Sequence, residues 1–270
     1  MKAWHFTYGW QVDDGTPLVV GKTYVYDGEP KLRQGGYHAS VRLIDALDYS
    51  IYFFGNVVSR VELGGKMHIG KDEVCAQRRT VLWAIEADEV LHRFALRCAE
   101  EAIAHVGYAD ERVSAALDAK RKWLKGELSD VDLDVAMEAV EAISKELHQK
   151  IIEMISKMRP EWEELHRAWC AVTSAMWAAS DCGCWAAHFA AQWACWAHEG
   201  GPEWAALEAA ARQRLNRYLT AMVCAAHRKK EEEDAQKETD KERREPDADL
   251  PERCEESTVD ESAEDTAWAV

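Results

Sequence analysis

The chain is short of positive charge. Its 33 lysines and arginines face 49 aspartates and glutamates, a formal net charge of −16. Proteins that grip a nucleic-acid backbone cluster basic residues instead, so direct backbone binding is not expected. Long apolar runs are missing too. No stretch of about 18 residues rich in Leu, Ile, Val or Phe exists to span a bilayer, and the opening Met1-Lys2-Ala3-Trp4-His5 has no signal-peptide core. A cytoplasmic protein with no membrane association is expected. Paired CxxC motifs, a phosphate-binding Walker loop, a dinucleotide fingerprint and a nucleophile elbow are all absent. No specific motif therefore supports catalysis, and no cofactor is expected.

The negative charge is concentrated at one end. From Lys229 to Val270 there are 7 basic and 17 acidic residues, a net −10 that leaves −6 on the other 228 residues. That stretch has few apolar residues, among them Leu250, Val259, Trp268 and Val270. Such a composition buries too little surface to offset chain entropy. A largely disordered acidic tail over 229–270 is expected, helical at its start and stopped by Pro246 and Pro251. Eight cysteines (75, 98, 170, 182, 184, 195, 224 and 254) in a chain without an export signal are expected to stay thiols, several packed as small hydrophobes among Ala and Trp.

Residues 1–86 alternate as strands and turns. Thr23-Tyr24-Val25-Tyr26 ends at the turn pair Asp27-Gly28, and Gly35-Gly36 precedes Tyr37-His38-Ala39. Ser40 is positioned as the N-cap of a short helix carrying Leu43, Ile44 and Leu47 up to Tyr49. Strands are predicted at Val57–Leu63, stopping at Gly64-Gly65, and at Thr80–Ile85. A small α+β module results.

The order of these motifs resembles one module. Lys2-Ala3-Trp4, Gly21-Lys22-Thr23-Tyr24, Gly36-Tyr37-His38-Ala39-Ser40, Arg60-Val61-Glu62-Leu63-Gly64-Gly65 and Arg78-Arg79-Thr80-Val81-Leu82-Trp83 are similar to an uncharacterised family of bacteriophage and bacterial proteins, in which Ala- and Trp-rich repeats commonly follow. The resemblance covers about the first 90 residues. It implies phage or prophage origin, a host-cytoplasmic location and an accessory or interaction role, but no activity. A second similarity is to ADP-ribosyltransferases of the poly-ADP-ribose-polymerase type. His5, Gly36-Tyr37-His38, Tyr49 and Val61-Glu62-Leu63-Gly64 fall in that family's order. It implies a cleft where a histidine holds ribose and an aromatic face stacks nicotinamide, with His5, His38 and Tyr49 as its site residues. The chain departs from the pattern in two ways. His5 is followed by Phe6-Thr7 rather than Gly-Ser, and no motif places a later catalytic glutamate. The bland alternative makes Gly36, Tyr37 and Tyr49 turn and core residues.

From residue 87 to 228 the period becomes helical. Helices are predicted from Asp88 to Gly107, from Asp110 to Gly126 and from Ser129 to the residue before Pro160. The third carries Leu133, Met137, Val140, Leu147, Ile151, Met154 and Met158 as a seam. From Trp169 the chain then runs in fours: WCAV, TSAM, WAAS, DCGC, WAAH, FAAQ, WACW. Four residues turn a helix by about 400°, so the aromatic stripe winds while alanines let backbones approach. Asp181 and Gly183 interrupt it, and Gly200-Gly201-Pro202 ends it. A last helix uses Trp204, Leu207, Leu215, Leu219 and Met222. Six of the twelve tryptophans lie between 169 and 204, which suggests a protein partner or self-association through these helices.

Two constellations offer ligands. Cys182, Cys184 and His188, with Cys195 and His198 beyond, have side chains zinc accepts. Without CxxC pairing, buried thiols among tryptophans are the default. Glu89-x-x-His92 and Glu163-x-x-His166 have the spacing of di-iron bundles, but exposed polar faces or local hydrogen bonds are the expected reading. Three functions remain: a phage-type accessory or interaction protein; an ADP-ribosyltransferase-like enzyme or nucleotide-binding remnant; and an acidic mimic of nucleic acid that blocks a host nuclease.

Overall fold

A computed structural model describes residues 1–12, 15–51, 55–157, 159, 161–198 and 204–244. The chain is α+β. Strands β1 (Lys2–Thr7), β2 (Thr23–Val25) and β3 (Tyr37–Ala39) precede helix α1 (Leu43–Ser50). The long hairpin of β4 (Val57–Ile69) and β5 (Val74–Glu86) follows. Period-two alternation sorts the side chains between two cores. Ala3, Val57, Val61, Leu63, Val74, Ala76 and Val81 fill a small core inside the sheet, while Trp4, Phe6, Val58 and Ile85 turn towards the helices.

The hairpin is longer than the sequence predicts. Gly64-Gly65 does not end β4: the register slips between Gly64 and Met67, and pairing resumes from Met67–Ile69 to Ala76–Val74. Gly65 takes a positive φ of 74° there, so the glycines make a bulge rather than a turn. Residues 65–69 are exposed and lack an apolar alternation, which is why a strand was not legible.

The pairings form a ring. Antiparallel β1 lies on β4, β4 on β5, and β3 on β5, with β2 further along the same edge of β5. Between β1 and β3, one residue pair among the described residues closes the ring. Trp4 N–H donates to the Ser40 carbonyl at 2.8 Å, and Ser40 N–H returns to the Trp4 carbonyl at 2.9 Å. Ser40 is therefore a strand bridge and not the predicted cap; Arg42 occupies the N-cap without a side-chain bond.

Among the described residues six helices follow: α2 (Asp88–Val106), α3 (Glu111–Trp123), α4 (Asp130–Ser156), α5 (Trp162–Ala178), α6 (Gly183–Trp196) and α7 (Trp204–Arg244). Local chemistry sets their ends. Gly107 closes α2 at φ 65°, the Asp110 carboxylate accepts from Arg112 N–H at 2.9 Å, and Ser129 Oγ accepts from Asp132 N–H. Helix α6 lies against both α2 and α5. The tetrad alanines make this contact: Ala171, Ala175, Ala178, Ala186, Ala187, Ala190, Ala191 and Ala194 are all buried. Backbones come close enough for Ser174 Oγ to donate to the Ala190 carbonyl at 2.8 Å. The aromatic rings stand at the rim, half-buried and paired with one another. Trp169 meets Trp193 edge-on at 5.0 Å, and Trp177 stacks on Phe189 at 4.4 Å.

The break between α5 and α6 strands carbonyls that two buried bases satisfy. Lys120 Nζ, fully buried on α3, donates to the Ser180 carbonyl at 2.7 Å and sits 3.9 Å from the Trp123 ring centroid. His92, buried on α2, hydrogen-bonds the Asp181 backbone and packs edge-on against Trp123. Burial pushes Lys120 down to about 7, and burial followed by the Lys120 charge pushes His92 down to about 3. At the far end of α6, burial and then neighbouring His105 and Arg214 push His198 down to about 4.

These histidines fold as neutral rings, whereas in the unfolded chain they protonate near 6.5. Between 6.5 and the folded values the unfolded state binds more protons. Their contribution is thus complete above pH 6.5 and is lost as pH falls towards 4 and below. The melting temperature is expected to decline over that window, with a shallower decline in His198→Asn. A melting temperature constant from pH 6.5 to 4 contradicts this.

Contacts group Met1–Arg228 as one unit and residues from Lys229 onward as a second. Within the first, α7 buries Ala211, Leu215, Leu219 and Val223, whereas Leu207, predicted to be apolar contact, is exposed. In the second, α7 continues to Arg244 and is exposed and charged over Lys229–Lys241, with Lys229–Glu233 and Asp234–Lys237 ion pairs at 3.5 Å. The expected disorder over 246–270, with Pro246, Pro251, Cys254 and Trp268, lies outside the described residues, as does the Gly200-Gly201-Pro202 stop. Among the described residues no helix is long and apolar enough to cross a membrane.

Candidate functional site

Beyond the Trp4–Ser40 bridge a cleft of about 530 Å³ opens, within the size range of small-molecule sites. It is lined by Trp4, His5 and Phe6 of β1, by residues 33–36 of the loop before β3, and by His38–Ser40. Ala46, Tyr49 and Ser50 of α1 and Glu73 of the β4–β5 turn complete it. His5, His38 and Tyr49, 44 positions apart at the extremes, therefore share one cavity. The sheet accounts for this. β1 and β3 meet at one pair and then follow different partners, β4 and β5, which leaves a gap that α1 borders.

The polar groups are linked. Arg33 N–H donates to His38 Nε2 at 2.9 Å, so the proton of the neutral His38 ring sits on Nδ1. Arg33 Nε donates to Glu73 Oε1 at 3.0 Å, and its guanidinium also hydrogen-bonds Tyr49. Tyr49 donates its hydroxyl proton to Asp72 Oδ1 at 3.1 Å. Burial chiefly raises the Tyr49 pKa, with Arg33 opposing and Asp72 and Glu73 assisting, so the phenol keeps its proton. The hydrogen bond to Tyr49, and then Glu73, raise the Arg33 pKa. Gly36 allows the loop to pass close beneath the cleft: at φ 104°, a Cβ there meets Cys75 Sγ at 2.7 Å and the Ala76 carbonyl at 3.1 Å. Below it the buried Cys75 thiol donates to the Gly35 carbonyl at 3.0 Å, and burial raises its pKa.

Helix α1 forms one wall and is fixed to the helical body. Asn216 Oδ1 accepts from Ile44 N–H at 3.0 Å, covering one open donor of the first turn. Asp45, almost fully buried, receives Arg42 at 2.6 and 2.8 Å and Arg212 at 3.0 Å. Arg212 also pairs with Asp48, which His188 Nδ1 approaches to 3.1 Å. Trp185 Nε1 donates to the Ile51 carbonyl at 3.4 Å.

That placement separates the metal candidates. Cys182 and Cys184 bring their sulfurs to 3.5 Å, but His188 is turned to Asp48 and His198 to Arg214. Burial, then Cys182, pushes the Cys184 thiol up to about 12. No group of three metal-ligating side chains converges among the described residues. The Glu-x-x-His pairs do not meet either. Glu89 pairs with Arg93 while His92 faces Trp123, and His166 lies against Trp162 and Trp169 with Glu163 exposed.

Sequence reasoning missed Arg33 and Glu73. Arg33 stands before a Gly-Gly turn, and Glu73 sits in the charged turn Lys71-Asp72-Glu73; neither carries a motif. No protein-family model, curated protein or solved structure matches the chain.

Proposed function

We propose that the N-terminal module binds an ADP-ribose-bearing nucleotide in the manner of the ADP-ribosyltransferases it resembles, with His5 and His38 addressing ribose hydroxyls and Tyr49 the base or nicotinamide ring. The convergence of His5, His38 and Tyr49 on one cleft carries this reading. Three residues distant in sequence, singled out by motif order, share a cavity of ligand size. Trp4, Phe6, Ala39 and Ala46 supply apolar wall for a planar ring, and Glu73 supplies a carboxylate in the lining. The role as a phage-type accessory protein that the first resemblance implies accommodates such a module.

The second reading, contact with a partner or another copy through the Trp-rich helices, draws on the half-buried indoles of Trp169, Trp177, Trp185, Trp193 and Trp196. Since these rings already pack on one another within the chain, they favour it less than the cleft favours ligand binding.

Calorimetric titration of the full chain with NAD tests the first reading. Micromolar binding is expected, with at least a tenfold loss in His5→Ala and Tyr49→Ala. NAD at 100 times Kd stabilises the fold by about 2.7 kcal/mol, visible as a raised melting temperature. Absence of binding by folded protein at millimolar NAD, for both the dinucleotide and ADP-ribose, contradicts the reading.

A further inference from the structure

Among the described residues lining the cleft, Arg33 is the one arginine or lysine. It is also the one described non-glycine residue with a left-handed backbone, at φ 61°. Glycine occupies such a position at no steric cost, whereas a residue that carries a Cβ is strained there. The local turn does not require arginine: it closes through backbone bonds, Lys31 N–H to the Gly35 carbonyl at 2.8 Å and Gly35 N–H back to Lys31 at 3.1 Å. The strain therefore accompanies a side chain whose use lies elsewhere.

The guanidinium is held from one side and open on the other. Glu73, whose side chain is only 8% exposed, fixes Nε at 3.0 Å, and the Tyr49 hydroxyl takes a second donor. A guanidinium has five N–H donors in a planar fork, so three remain. With 72% of the side chain exposed, those donors face solvent at little desolvation cost. The lining also includes the apolar side chains of Trp4, Phe6, Ala39 and Ala46. The lining thus combines apolar walls with one guanidinium whose charge Glu73 balances, so an anion at the mouth would be held by the open N–H donors of Arg33 rather than by net positive charge.

Building on the nucleotide reading, we infer that Arg33 selects phosphorylated nucleotides over nucleosides, receiving the ligand's phosphate or pyrophosphate on its open guanidinium face while Glu73 and Tyr49 orient it. Arginine suits this role through bidentate, charge-assisted bonds to phosphate oxygens. Glu73 and Tyr49 are positioning residues in this scheme, since each acts through the guanidinium.

The test is calorimetric titration of the full chain and of Arg33→Gly and Arg33→Lys with four ligands: NAD, ADP-ribose, adenosine and nicotinamide riboside. The wild-type chain is expected to bind the two pyrophosphates about 10- to 100-fold more tightly than the two nucleosides, with that ratio shrinking as salt rises. In Arg33→Gly the ratio collapses towards one and nucleoside affinity stays within about threefold. Its melting temperature holds within about 3 °C, because glycine accepts the φ. Arg33→Lys recovers part of the ratio, keeping charge without the fork. An equal loss for nucleosides and pyrophosphates in Arg33→Gly would make the role structural and overturn the inference, as would an unchanged ratio. If wild-type protein binds none of the four, the nucleotide reading itself fails; if it binds NAD while Arg33→Gly is indifferent, only the role of Arg33 fails.

Discussion

Asp45→Ala is expected to lower the unfolding free energy by about 3 kcal/mol, at the low end of the cost of breaking a buried ion pair. The carboxylate is 2% exposed and receives a bidentate Arg42 and a third bond from Arg212. Its removal takes from Arg42 the acceptor of both its bonds and from Arg212 one of two carboxylates. The loss stays at the low end because Arg42 is half in solvent and Arg212 retains Asp48. For a unit of this size, each kcal/mol moves the melting temperature by about 2–4 °C, so a fall of roughly 6–12 °C should appear in a thermal scan. Adding Arg212→Met should recover part of it, since the stranded charge goes too. A loss under about 1 kcal/mol would show that this cluster is solvated rather than structural. Because Ala46 and Tyr49 share α1 with Asp45, affinity for a cleft ligand should fall in parallel.

Ala190→Leu is expected to cost about 3 kcal/mol or more, the upper range for overpacking. Ala190 is fully buried on α6 and its carbonyl accepts the Ser174 hydroxyl at 2.8 Å. Neighbouring positions are also alanines without side-chain atoms able to rotate away. The added leucine must push α5 from α6 and break that hydrogen bond. By contrast, Trp185→Phe at the half-buried rim is expected to cost less than half as much. Urea denaturation of both variants ranks them. A larger loss at Trp185 would mean that the indoles, not the alanines, carry the helix packing.

Composition invites the opposite assignment. Twelve tryptophans in one chain point to indoles as the core or as an interaction surface. The tetrad spacing was legible, and so was the break at Asp181, because glycine and aspartate interrupt a helical period. The side of the helix that faces inward was not legible. Alanine has no strong transfer energy, and its role depends on how near a second backbone comes. The caps at Asp110 and Ser129 and the stop at Gly107 were readable from local chemistry alone. The cap expected at Ser40 was not, because the bridge to Trp4 is set by the closing of the sheet.

The cleft was half-readable for the same reason. His5, His38 and Tyr49 stand out by motif order. Arg33 and Glu73 come together through the turn of a hairpin whose outer half has no alternating pattern, so only tertiary structure places them in the lining. The pairing of Asp48 with His188, 140 positions apart, is likewise invisible to spacing, and it removes His188 from the thiol pair that sequence groups it with.

The most direct measurement is amide chemical-shift mapping of the isotope-labelled chain during titration with NAD. Saturable shifts should concentrate at the bridge and its flanks, at His5, Arg33, Gly36, His38, Tyr49 and Glu73, while α4 to α6 stay still. Shifts that fail to saturate, or that gather on the Trp-rich helices and leave the gap between β1 and β3 unperturbed, would contradict a ligand site in the cleft.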